Sequence, residues 1–325
     1  MSENNKKWKS RLLSSSIPLE FETAKILSEL GFSVSYDYTF WRKEGTENKE
    51  FSIDINGLGF TPFKNDNEIN SNVSFLVECK YREDGKKWLF LPETDQSDFS
   101  SQVLGYAIRT IDSFTETSIN KDSLYDFEEK FEFALKGVEI NVNSGEVYDK
   151  DIRHGLYQLK YSMPNIILDS LESNMYGHVL DAKPWFIIPI LLTNADLHIL
   201  NEDFTMDTLF KSETIDCISR KVPYLICYSD ISPDFMEHHK RIFKNFYSEN
   251  RNNENLLVFE CFQKNIKNKK FEGIYNSPVE TVYELDKSFK SKLSGYYSHF
   301  IVCSFENFKV LVTEITEIIE EVMKK

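Results

Sequence analysis

Phe75-Leu76-Val77-Glu78-Cys79-Lys80-Tyr81 and, upstream of it, Phe51-Ser52-Ile53-Asp54-Ile55 are short apolar runs interrupted by charge where they are most hydrophobic. Their β-branched and aromatic content predicts buried strands. Strand side chains alternate between faces, so Glu78 and Lys80 point the same way, roughly 7 Å apart, and Cys79 points the other way. By the same rule Asp54 faces away from Ile53 and Ile55. If the two strands pair, a carboxylate from each converges beside a lysine. Charges are costly to bury unless they pair or hold a metal, and this cluster therefore directs the rest of the reading.

Acid-x-Lys alone carries no such weight. Glu47-Asn48-Lys49, Asp84-Gly85-Lys86 and Glu128-Glu129-Lys130 lie in polar or helix-like surroundings and read as solvated surface. Asp181-Ala182-Lys183 is followed at once by Pro184, which argues against a central strand there.

Around this pair the chain reads as α/β. Residues 1–16 are a loose basic lead-in, with Ser14-Ser15-Ser16 marking a helix start. Leu19 to Leu30 has helical spacing, with Glu20 at the edge of its apolar face near Ala24 and Leu27, and Glu22 on the other flank. Strand one is Gly31 to Trp41, followed by a charged loop over Arg42 to Glu50. Strand two is Phe51 to Ile55, ending in the turn-like Asn56-Gly57-Leu58-Gly59, and strand three is Val73 to Tyr81.

Helical segments are predicted around Ser97–Thr110, Tyr125–Leu135 and Asp151–Ser162. Further strands are expected at Trp185–Thr193, Val222–Tyr228, Leu256–Phe262 and His299–Phe305. Pro189 suggests an edge or bulge in the first of these. An amphipathic helix on Phe308, Leu311, Ile315, Ile318, Ile319 and Val322 closes the chain. Without repeats or a low-complexity linker, residues 17–325 read as one elaborated α/β domain.

The order helix, strand, Asp-bearing strand, Glu-x-Lys strand resembles the PD-(D/E)XK, or restriction-endonuclease-like, nuclease superfamily, with residues 19–32 similar to the first helix of Mrr-type members. The resemblance covers roughly 17–110. It implies a core of helix, three-strand meander, helix and strand, here extended into a larger mixed sheet, and it implies metal-dependent phosphodiester hydrolysis. Asp54, Glu78 and Lys80 take the motif positions, with Glu20 favoured over Glu22 as the first-helix acid. Asp54 lacks the Pro or Gly often found near this Asp.

Asp54, Glu78, the Cys79 backbone carbonyl and Glu20 would form an oxygen-rich set for Mg²⁺, with Mn²⁺ as a substitute. Lys80 would orient or deprotonate water and offset phosphorane charge. Gln102-Val103-Leu104-Gly105-Tyr106 fits the Gln-x-x-x-Tyr pattern of exonuclease-type members, so Gln102 and Tyr106 are candidates to contact a phosphate and orient Lys80. Gln158, on the 151–162 helix, is the rival for that role. DNA is expected before RNA as substrate, and defence against foreign DNA is a role suggested by family analogy alone. A second reading keeps the fold without catalysis: a scaffold that binds nucleic acid or a protein partner, or a homodimer, with the motif residues as a structural ion pair.

Bulk properties restrict the classes further. A net charge of −14 argues against a protein that coats nucleic acid non-specifically, yet it leaves room for a basic track on an acidic body. Lys240, Arg241 and Lys244, then Lys264 to Lys270, then Lys287 to Lys292, read first as a solvated face and alternatively as such a track. Five scattered cysteines without CxxC spacing, no apolar stretch of membrane length and no secretory h-region point to a cytoplasmic protein. Phosphate-loop, dinucleotide and nucleophile-elbow motifs are absent, and the side-by-side His238-His239 reads as surface.

Overall fold

The computed structural model describes residues 4–63, 69–94, 106–112, 115, 119–176, 182–250, 285–286 and 290–323. The stretch expected to be a loose lead-in carries a helix, α1 (Asn4–Ser14). α2 (Ile17–Glu29) starts where the serine run predicts, with Pro18 in its first turn. Ser16 does not cap it through its side chain. Its hydroxyl instead accepts the Tyr81 N–H at 3.2 Å, which ties the helix start to the far end of the Glu78–Lys80 strand.

β1 (Ser33–Glu44) and β2 (Glu47–Thr61) form a long hairpin around a two-residue turn, so the charged stretch Arg42–Glu50 is mostly strand, not loop. β2 also runs on through Gly57 and Gly59, which were expected to form a turn. The physical reason is close packing: a Cβ on Gly57 would stand 3.0 Å from the Leu27 Cδ1 atom of α2. β3 (Ser71–Lys80) pairs antiparallel with β2.

After β3 the chain makes an excursion before it returns to the site. It contains β4 (Lys86–Pro92), β5 (Arg109–Ile111), α3 (Lys121–Glu128), β6 (Glu132–Asn141) and β7 (Val147–Tyr148). The helix expected over Tyr125–Leu135 ends at Glu128, because β6 begins at Glu132, with Phe133 and Ala134 on opposite sides of the sheet. Glu128 is buried, not solvated, and accepts the Ala107 and Ile108 N–H groups at 2.9 and 2.7 Å. Where the 97–110 segment enters the described residues it is irregular and then β5, not helix.

α4 (Lys150–Tyr176) continues well past Ser162 with Pro164 inside it, and leads to β8 (Trp185–Thr193). Then come β9 (Asp196–Leu200), α5 (Met206–Lys211), β10 (Ser219–Val222), β11 (Tyr224–Tyr228), α6 (Pro233–Asn250), α7 (Lys290–Tyr297), β12 (His299–Ser304) and α8 (Phe308–Met323). The strand expected at Leu256–Phe262 lies outside the described residues.

Among the described residues, one mixed sheet of twelve strands, ordered β1-β2-β3-β8-β12-β11-β6-β4-β9-β10 with β5 on β8 and β7 on β6, organises the chain. Ile53, Leu76, Ile187, Leu191 and Val302 pack towards α4 and α6. Ile55, Phe75, Val77, Ile190 and Ile301 pack towards α2 and α8. The architecture is therefore a large mixed sheet between two helical layers. β8 is central and wholly buried, in spite of Pro189. The proline is tolerated because, opposite β3, it falls between the stretches paired with β5 (Trp185–Ile187) and β12 (Ile190–Thr193). No helix among the described residues is long and apolar enough to cross a membrane.

His238 and His239 are buried, contrary to the surface reading. The His238 Nε2–H donates to the Tyr161 carbonyl at 3.0 Å, and the His239 ring stacks on Phe243 at 4.4 Å. Burial pushes the two imidazoles down to about 4 and about 3. Between those values and the ordinary 6.5 the unfolded chain binds more protons, so their stabilisation is full above pH 6.5 and is lost as the pH falls. His239→Phe is expected to lose on the order of 2 kcal/mol less stability than wild type between pH 7 and 5. Parallel urea titrations would check this, and equal pH slopes for the two proteins would refute it.

Candidate active site

The β2–β3 ladder stops at the pair Ile55–Val77, one residue short of Asp54 and Glu78. Alternation also breaks there: Ile53 packs on the α4 side and Ile55 on the α2 side, although a regular strand would put both on one side. The paired β1 strand is irregular at the same level, where Asp37 has φ 54° and the register skips from Tyr36–Ile55 to Tyr38–Ile53. Freed from the ladder, the Asp54 carboxylate replaces a backbone partner and accepts the Cys79 N–H at 2.6 Å. The strands thus splay where the chemistry-bearing side chains stand.

Glu78 is 1% exposed, and its Oε1 receives the Lys80 ammonium at 2.5 Å. Cys79 is buried on the α2 side, as expected of a core residue. Lys80 Nζ also donates to Gln158 Oε1 at 3.3 Å, while Gln158 Nε2 donates to the Ser52 carbonyl at 3.2 Å. Gln158 is therefore a helix residue in contact with Lys80. Its rival Gln102 lies outside the described residues. Tyr106 makes none of the Lys80 contacts and lines a separate cavity of about 130 Å³ with Lys121 and Tyr296.

Gly155 explains how α4 comes close enough. A Cβ there would lie 2.5 Å from Leu191 Cδ1 and 3.4 Å from Lys80 Cε. Gly155→Val is expected to push α4 off β8 and β3, costing about 1–3 kcal/mol and lowering any Lys80-dependent activity. Denaturation midpoints and rates on the same preparation check this, and an unaltered midpoint would mean that α4 does not need the glycine.

Three acids share the site's electrostatic stress. Burial pushes Glu78 up to about 8 against the pull of Lys80. Burial also holds Asp54 above the usual carboxylate range, although the Cys79 N–H and Lys80 pull it down. Glu20 rises to about 7 through burial first and then through the charges of Asp54 and Asp37. Glu22 is exposed on the other flank of α2, so Glu20 is the first-helix acid that joins the cluster. The sequence reading passed over two neighbours, Asp37 and His154. His154 lies four residues before Gln158 and so on the same face of α4, which is the spacing that could have marked it. Desolvation and the Lys80 charge hold its imidazole below the usual range.

Among the described residues, no three His, Cys, Asp or Glu side chains stand close enough to cage a metal with protein atoms alone. Mg²⁺ does not require such a cage, because it keeps several waters and is commonly held by one or two carboxylates plus substrate oxygens. The residues fit that mode. Glu78 Oε2 is buried without a hydrogen-bond partner, and an acceptor in that state is stabilised by a cation. The Asp54 charge acts on both Glu78 and Glu20, so Asp54 lies within electrostatic reach of each. No protein-family model, curated protein or solved structure matches this chain.

Proposed function

We propose that the chain is a metal-dependent nuclease with a restriction-endonuclease-like core, hydrolysing phosphodiester bonds in DNA before RNA. The observation that carries this reading is the convergence of Asp54, Glu78 and Lys80 at the splayed end of β2 and β3, with an orphaned carboxylate oxygen. The core would comprise α2, β1, β2 and β3, followed by α4 and β8, with residues 81–149 as an insertion before the second helix.

Asp54 and Glu78 would hold Mg²⁺ or Mn²⁺, with the Cys79 carbonyl and Glu20 in support. The metal, when bound, neutralises a phosphodiester oxygen and acidifies a water. Lys80, steered by Glu78 and Gln158, donates to the attacking water or to the equatorial phosphate oxygens. Gln158 fixes the ammonium's direction through its second bond to the β2 backbone. His154, whose imidazole desolvation and the Lys80 charge hold below its usual range, is a further base on the same face of α4 as Gln158.

The test is cleavage by the whole protein of linear, circular and single-stranded DNA and of RNA, with Mg²⁺, Mn²⁺ or chelator. Metal-dependent cleavage supports the reading. The scaffold alternative draws on the closed Lys80–Glu78 contact, which holds the two side chains together without a metal. A melting measurement separates the two readings, because a ligand that binds only the folded chain stabilises it by mass action. At a hundredfold excess of Mg²⁺ over its Kd the gain is about 2.7 kcal/mol, and Asp54→Ala is expected to abolish it. No Mg²⁺ shift in the wild type, together with no cleavage, would favour the scaffold.

A further inference from the structure

A second concavity, of about 700 Å³, opens between the β1–β2 turn and α6. Lys43, Lys240, Arg241 and Lys244 line it, against two acids, Asp234 and Glu237. Asp234 is already engaged, by Arg42 at 3.3 Å and by the Tyr161 hydroxyl at 2.5 Å. None of the four lining cations takes part in an ion pair among the described residues. Arg241 is held in place by the buried His238, towards whose Nδ1 it points at 3.4 Å, with His238 Nε2–H committed to the Tyr161 carbonyl. On a chain of net charge −14, this group of cations without ion pairs among the described residues is a local field that attracts a polyanion.

A line of contacts links the groove to the candidate active site. Gln158, which contacts Lys80, bonds to Ser52, and Ser52 pairs with Thr39 on β1. From Thr39 to Lys43 the strand rises roughly 13 Å. On the helical side Tyr161 follows Gln158 by one turn of α4, and the Arg42 guanidinium lies 3.7 Å over its ring. A strand whose phosphate reached Lys80 would therefore meet the basic groove by following β1.

We propose that this groove binds the phosphodiester backbone of the nucleic acid on which the Asp54–Glu78–Lys80 site acts, a role that rests on the nuclease reading above. The groove sets the substrate's direction across the sheet edge, and the acidic body elsewhere repels misplaced strands. It makes no contribution to metal binding.

The experiment measures binding of a fluorescent 20-nucleotide DNA duplex and its single strand to the full chain by anisotropy, across a salt series. It is paired with the Mg²⁺-induced melting shift. Lys240→Glu/Lys244→Glu alters two exposed residues of α6, and Lys211→Glu on α5 serves as a distant charge control. The double variant is expected to bind at least about tenfold more weakly, with the slope of log K against log salt reduced by about two. The control stays within twofold of wild type, and the Mg²⁺ shift is the same in all three proteins. Binding by the double variant within twofold of wild type overturns the groove and leaves the catalytic reading standing. Equal weakening in the Lys211 control overturns it as well, since the effect is then one of total charge. Failure of the wild type to bind either probe overturns the nucleic-acid reading itself, and the groove with it.

Discussion

Glu78→Gln is expected to become progressively more stable relative to wild type as the pH rises from 5 to 8 without metal, and to lose phosphodiester cleavage. The sign follows from linkage. The folded-state pKa of Glu78, about 8, lies above its ordinary 4.5, so the folded chain holds a proton that the unfolded chain has released. Wild-type stability from this group is thus fully present below pH 4.5 and falls as the pH rises towards 8. Glutamine has no such titration. The stability gap between the two proteins should widen by on the order of 1 kcal/mol per pH unit across that window. Mg²⁺ should narrow it by stabilising the wild type alone. Denaturant titrations at pH 5, 6, 7 and 8, with and without Mg²⁺, measure this directly, and a pH-independent gap would sink the idea that Glu78 is an electrostatic liability kept for chemistry.

Lys80→Ala has the largest effect expected on rate alone. Its ammonium is the one cation held by both Glu78 and Gln158, and removal of a positioned proton donor or charge stabiliser of this kind costs about 10²–10⁴-fold. The metal donors remain, so the Mg²⁺ melting shift should survive or grow, because the competing ammonium on Glu78 has gone. That combination distinguishes Lys80→Ala from Asp54→Ala, which loses both. Single-turnover cleavage at saturating enzyme is the measurement. A Lys80→Ala rate within a few-fold of wild type would exclude the lysine from the chemistry.

The elements that carry the candidate site were legible because their signals are strong and local. A charge inside an apolar strand marks β2 and β3, and a continuous apolar face marks α2 and α8. The misread elements share a different cause, in that tertiary contacts reassigned residues whose local chemistry is ambiguous. Gly57 reads as a turn residue but serves to let Leu27 approach. Pro189 reads as an edge residue but sits in the gap between two partner strands of a central one. His238 and His239 read as surface because the face that α4 and α7 would cover was not visible in one helix. Gln158 meets Lys80 because the chain returns α4 to β3, a long-range contact that the local sequence does not display.

Thr193 Oγ1 donates to the Lys80 carbonyl across 113 residues of chain, and this parallel register of β8 against β3 closes the site. Closing a loop of that length costs about 4 kcal/mol of chain entropy before any contact repays it. Long-range parallel pairing of this kind forms late. The desolvation that raises Glu78 is a property of the folded chain and is absent while β3 is unpaired. Electrostatic strain that is absent from the folding transition state speeds unfolding more than it slows folding.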